Sequence, residues 1–124
     1  AWFDGLYLVP TKGCATAEVK KSRADFKDRY AKKQWKEGIA LLTPLLACET
    51  IDGFELAWIR NDLALTQHHA GDDAGCLATL APLDSYRDER DGPSGEPMYD
   101  EVFKKLGKAT RTNSKLCGYA APPK

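Results

Sequence analysis

Residues 63–83 read LALTQHHAGDDAGCLATLAPL. Apolar and small residues recur there at helical spacing up to Ala70, are interrupted by Gly71-Asp72-Asp73, and resume at Leu77, Leu80 and Leu83. Glycine is the residue that most readily takes the left-handed position closing a helix, and aspartate is a preferred N-cap of the next one. The stretch therefore predicts two helices folded back on each other, with Asp72 or Asp73 capping the second.

The same periodicity extends outward in both directions. A first helix is expected from about Thr16 to Lys33, with Val19, Phe26 and Tyr30 inward. A second runs from Trp35 to about Ala47 on the stripe Trp35, Ile39, Leu42 and Leu46, with Pro44 bending or ending its last turn. The third covers Phe54 to Ala70 with Leu56, Ile59, Leu63 and Ala70 inward, and the fourth Ala74 to Leu83. Residues 84–97, DSYRDERDGPSGEP, hold five acids and four Gly or Pro breakers without any period, which predicts a surface loop. Beyond it Tyr99, Val102, Phe103, Leu106 and Ala109 share one face, giving a fifth, capping helix over residues 98–112. Residues 1–15 read as an extended apolar arm and residues 118–124 as a loose tail. The fold class expected is all-α, in one domain of 124 residues, with residues 16–83 forming two stacked antiparallel hairpins.

A shift of 38 residues lays EGIALLTPLL (37–46) on GCLATLAPLD (75–84), and with it Gly38 on Cys76, Leu42 on Leu80 and Tyr30 on His68. Periods in this range mark repeated helix pairs, because neither pair buries its apolar face alone. Residues 61–83, with Leu63, Ala64, the Gly71-Asp72 turn, small Cys76, Leu80 and Leu83, resemble a tetratricopeptide repeat. The copy at 24–45 is similar to it at Tyr30, Trp35, Gly38, Leu42 and Leu45. The usual first-helix tryptophan is displaced to Trp58 and only two copies are present. The resemblance implies a stack that binds protein or peptide segments, with the first helix of each copy lining a groove. Carried over by position, the binding residues would be Arg23, Lys27 and Tyr30 from the first copy and Asn61, Leu65 and His68 from the second.

Cys14, Cys48, Cys76 and Cys117 are widely spread, unlike the close pairs of zinc ribbons and redox motifs, and their even number favours disulfides in an oxidising compartment. Antiparallel hairpins bring Cys14 beside Cys48 and Cys76 beside Cys117. Each bridge would contribute roughly 3 to 4 kcal/mol by restricting the unfolded chain. Cysteine usage, with Ala1 in place of an initiator methionine as in a processed chain, leads to the expectation of a periplasmic or secreted protein.

The 18 basic and 18 acidic residues cancel overall but form blocks, basic at 12–36, acidic at 49–101 and basic again towards the end. Such blocks either attract one another within the fold or complement a polarised partner, unlike the broadly basic footprint of a nucleic-acid binder, and no apolar run approaches the length of a membrane span. His68 and His69 are adjacent, so on a helix their side chains diverge by about 100° and chelate one ion poorly; neither metal nor cofactor is expected. The function expected is an exported protein-binding module, an inhibitor or immunity protein or an adaptor, working through the groove and the acidic loop. The alternative is a small metal-dependent or hydrolytic enzyme built on His68, His69 and Asp72.

Overall fold

A computed structural model describes residues 14–88 and 97–120, with backbone alone for 97–100. The expected arm over residues 1–13, the loop residues 89–96 and the tail residues 121–124 lie outside the described residues. Among the described residues six helices follow in order: α1 (Thr16–Ala31), α2 (Trp35–Leu42), α3 (Gly53–His69), α4 (Asp73–Leu80), the short α5 (Asp84–Asp88) and α6 (Pro97–Leu116). No strand occurs among the described residues.

The 38-residue shift holds in the backbone. It carries α2 onto α4 residue for residue, and the 3₁₀ turn Thr43–Ala47 after α2 onto the turn Ala81–Leu83 after α4. Pro44 and Pro82 each tighten the chain there, the ring excluding a further α-helical hydrogen bond. The hairpin turns match as well. Gly71, at φ +88°, closes α3 with its N–H on the His68 carbonyl and the Asp72 N–H on Gln67, a Schellman motif. Lys33 stands 38 residues earlier at φ 60° and closes α1 in the same way, Lys33 N–H to Tyr30 and Gln34 N–H to Arg29. Asp52 caps α3 and Asp72 caps α4.

α3 is the centre. Its Ile59 and Leu63 join Val19, Phe26, Leu42 and Leu45 in one core, while Ala57 and Ala64 face Cys76, Leu80, Leu83 and Leu106 in a second. Ala70, expected inward, is exposed, and Leu56 is only half-buried, because a helix covered on two sides does not follow a single apolar stripe. Against α6 the contact is polar. Asn61 Nδ2 donates to the Ala57 carbonyl and to Thr110 Oγ1, both at 3.1 Å, and Asn113 Nδ2 donates to Asn61 Oδ1 at 3.0 Å.

The expected loop over 84–97 begins instead as helix. Tyr86 of α5 packs between Phe54 and Phe103, and Gly107 of α6 lets the Tyr86 carbonyl approach so closely that a Cβ would lie 2.7 Å from it. α6 outruns the expected residue 112 to reach Leu116, and Gly118 and Tyr119 close it with a third Schellman motif, so the tail is anchored at its start. Arg87 lies 4.2 Å over the Tyr119 ring.

Disulfides join Cys14 to Cys48 and Cys76 to Cys117, with Cα separations of 5.5 and 6.2 Å. The first sits at the N-terminal end of α3, where Thr50 donates to the Cys14 carbonyl, and the second at its C-terminal end. Two bridges with no free cysteine fit an oxidising compartment. No helix among the described residues is long and apolar enough to cross a membrane.

Lys33 adopts a conformation that costs an L-residue about 1 kcal/mol or more and glycine almost nothing. Lys33→Gly, copying Gly71, is therefore expected to raise the unfolding free energy by about 1 kcal/mol in urea titrations, whereas Gly71→Lys should lower it.

Candidate functional site

α1 and α6 pack to either side of α3 and leave part of its surface open. The uncovered stripe carries Trp58, Asp62 and Leu65, spaced four and three residues apart and hence on one face. A cleft of about 280 Å³ between α1 and α3 is lined by Phe26, Lys27, Tyr30, Ala31, Asp62 and Leu65. On the other flank a hollow of about 490 Å³ reaches α6, with Trp58, Lys105, Lys108, Ala109 and Thr112 in its walls. Asp62 and Leu65 belong to both, so the two clefts meet over α3.

The centre is apolar and the rim is charged. Arg23 Nη1 donates to Glu55 at 2.9 Å and its other nitrogen lies 3.8 Å from Asp62. Lys105 pairs with Glu101 at 3.4 Å, but both are well exposed, so the pair holds Lys105 only weakly. Burial pushes the Asp62 carboxyl above the ordinary carboxylate range, and the neighbouring positive charges of Arg23 and Lys27 offset part of that rise. Burial and, secondarily, the Asp62 charge also raise the Tyr30 phenol, which therefore stays neutral and hydrogen bonds with His69 Nε2 at 3.1 Å.

Of the residues expected to bind, Lys27, Tyr30 and Leu65 lie together in the α1–α3 cleft, and Arg23 stands beside it, tied to two acids. Asn61 reaches the hollow's lining, yet it is only 2% exposed and its side chain is committed to Thr110, Asn113 and its own helix. His68 turns away from the cleft to Asp73, with Nδ1 2.6 Å from Oδ1. Across the turn the partner of His68 is thus Asp73, not Asp72. His69 stacks on Trp35, ring centroids 4.7 Å apart, and Asp72 accepts from the Gly75 N–H as a helix cap. His68, His69 and Asp72 consequently face three different partners.

Sequence reasoning missed Asp62, Trp58, Lys105 and Lys108. Asp62 and Trp58 were readable from their place on the Leu65 stripe. Lys105 and Lys108 were not, because the resemblance supplied only the first helices of the two copies and said nothing of which face α6 would turn to the groove.

No protein-family model, no curated protein and no solved structure matches the chain.

A carboxyl whose folded pKa is raised keeps its proton more firmly in the native state. Its stabilising contribution is complete below the unfolded value of 3.8 and is lost as pH rises through the folded value. Asp62→Asn abolishes this dependence. The stability of the variant relative to the parent is expected to increase from below pH 3.8 to neutrality, measured as paired urea midpoints. A constant difference across that range would contradict the assignment.

Proposed function

We propose that the chain is an exported protein-binding module that takes an acidic, apolar-bearing segment of another protein into the groove over α3. The observation that carries this reading is the pair of clefts meeting at Asp62 and Leu65, apolar along Phe26, Tyr30, Leu65 and Trp58 and rimmed by Lys27, Lys105 and Lys108. Aliphatic or aromatic side chains of the segment fill the cleft beside Tyr30, and its carboxylates meet the lysines through charge-assisted bonds.

The helix pairs support the same reading. Small Gly38 and Cys76 stand at equivalent positions of α2 and α4, both buried where a first and a second helix pack. This equivalence supports reading the helices as a tetratricopeptide-like stack, with α1 and α3 as first helices and α6 as the capping helix. A bridge at each end of α3 holds the frame in place, so little ordering cost attends association. Neutralising a secreted enzyme, as immunity proteins do, and acting as an adaptor in an envelope assembly both call on such a surface.

Panning a random peptide library on the protein is the direct test. The selected peptides are expected to combine Asp or Glu with at least one large apolar residue. Lys105→Glu with Lys108→Glu should weaken their binding at least about tenfold, about 1.4 kcal/mol, without altering helix content. Peptides without an acidic bias, or binding indifferent to Leu65→Asp, would refute the groove.

A further inference from the structure

Away from the groove, the C-terminal end of α3, the start of α4 and the end of α6 converge on a second group of side chains. A ring nitrogen of His68, a carboxylate oxygen of Asp73 and Cys117 Sγ all lie within 4.8 Å of one another. Cys117 is bonded to Cys76, and both are buried, whereas His68 and Asp73 open to solvent. A disulfide sulfur has no charge and binds metal poorly; the thiolate is the ligand. While the bridge stands, the group offers a cation only the His68 imidazole and the Asp73 carboxylate among the described residues.

Reduction changes the donor set. A dithiol reductant delivers two electrons and two protons to the Cys76–Cys117 bond and leaves as its own disulfide, which gives two thiols in place of one S–S bond. The freed sulfurs must part to non-bonded contact. Two thiolates on a tetrahedral zinc, each about 2.3 Å from the metal, stand about 3.8 Å apart, which is that same contact distance. A nitrogen or carboxylate oxygen in the set lies about 3.6 Å from each sulfur. Closing His68, Asp73 and Cys117 from within 4.8 Å of one another therefore takes a shift of about 1 Å, within reach of the half-exposed Asp73 side chain and of His68 in the last turn of α3, whereas Cys76 Sγ stands outside that group and joins it by rotation about its own Cα–Cβ bond once the S–S bond is broken. The cation replaces the direct His68–Asp73 hydrogen bond and displaces the two thiol protons.

We infer that reduction of the Cys76–Cys117 bridge opens a site in which Cys76, Cys117, His68 and Asp73 hold one zinc-class divalent cation. Two sulfurs, one imidazole and one carboxylate in tetrahedral array suit zinc and exclude the all-oxygen preferences of calcium and magnesium. The same end of the molecule thus takes either of two cross-links, covalent without reductant and metallic with it. This site is independent of the groove and of its proposed role.

Cobalt(II) is the probe. Protein reduced with a phosphine is expected to take up one equivalent, with thiolate-to-cobalt absorption in the near ultraviolet and tetrahedral bands in the visible, both erased by zinc. A Cys14→Ser, Cys48→Ser variant should keep them. His68→Ala and Asp73→Ala should each weaken uptake at least about tenfold, the loss that even an outer-shell partner causes. Cys76→Ser retains the Cys14–Cys48 bridge and frees Cys117 without reductant, so it tests the His68, Asp73 and Cys117 set in a chain whose helicity is followed in parallel. Absence of cobalt bands in both helical Cys76→Ser and reduced protein would overturn the site. So would bands that survive replacement of His68 and Asp73 together.

Discussion

α3 is covered on two flanks, and a helix in that position has no solvent in which to place polar side chains from those flanks. Asn61 and Thr66 are nonetheless buried on it. Both are satisfied internally: Thr66 donates to the Asp62 carbonyl, and Asn61 is bonded to α3, Thr110 and Asn113 at once. A buried carboxamide stripped of partners costs about 1 to 3 kcal/mol, so the Asn61 bonds fix both the register and the spacing of α6 along α3. From that constraint the rest follows. With α6 held on one flank and the α1–α2 pair on the other, the stripe Trp58, Asp62 and Leu65 is what remains uncovered between the two clefts.

The charge blocks of the sequence acquire a meaning in this frame. Basic α1 leans on acidic α3 through Arg23, which meets Glu55 and Asp62, and the internal attraction closes part of the cleft wall. The lysines left along the rim, on α1 and on α6, give the groove its positive edge around the Asp62 carboxyl, which Arg23 faces at 3.8 Å. A net charge of zero conceals this entirely.

Much of the frame was legible beforehand because it is written in apolar period and in turn chemistry. The 38-residue shift fixed where α2 and α4 lie, and hairpin geometry paired the cysteines as the bridges join them. The turn at Lys33 was harder to see, since a lysine does not announce a left-handed residue as Gly71 does. α5 escaped because five residues are too few for a period, and it is held by Tyr86 between Phe54 and Phe103 and by Arg87 over the Tyr119 ring. The last turns of α6 read as a polar terminus, yet Thr110 and Asn113 are buried there and bonded to Asn61. Hydrophobic pattern is blind to a seam made of hydrogen bonds. Of the cleft lining, Lys27, Tyr30 and Leu65 were named by position in the 38-residue register, whereas the side that α6 contributes needed the three-dimensional packing.

If α3 is the shared member of both cores, its amides are the last to open. Native-state hydrogen exchange across residues 59–66 is the most direct measurement of this. Those amides are expected to exchange only through global unfolding, with the highest protection in the chain, ahead of both α1 and α6. Exchange of α3 by local opening while α1 or α6 stays protected would contradict the shared-helix architecture and the groove built on it.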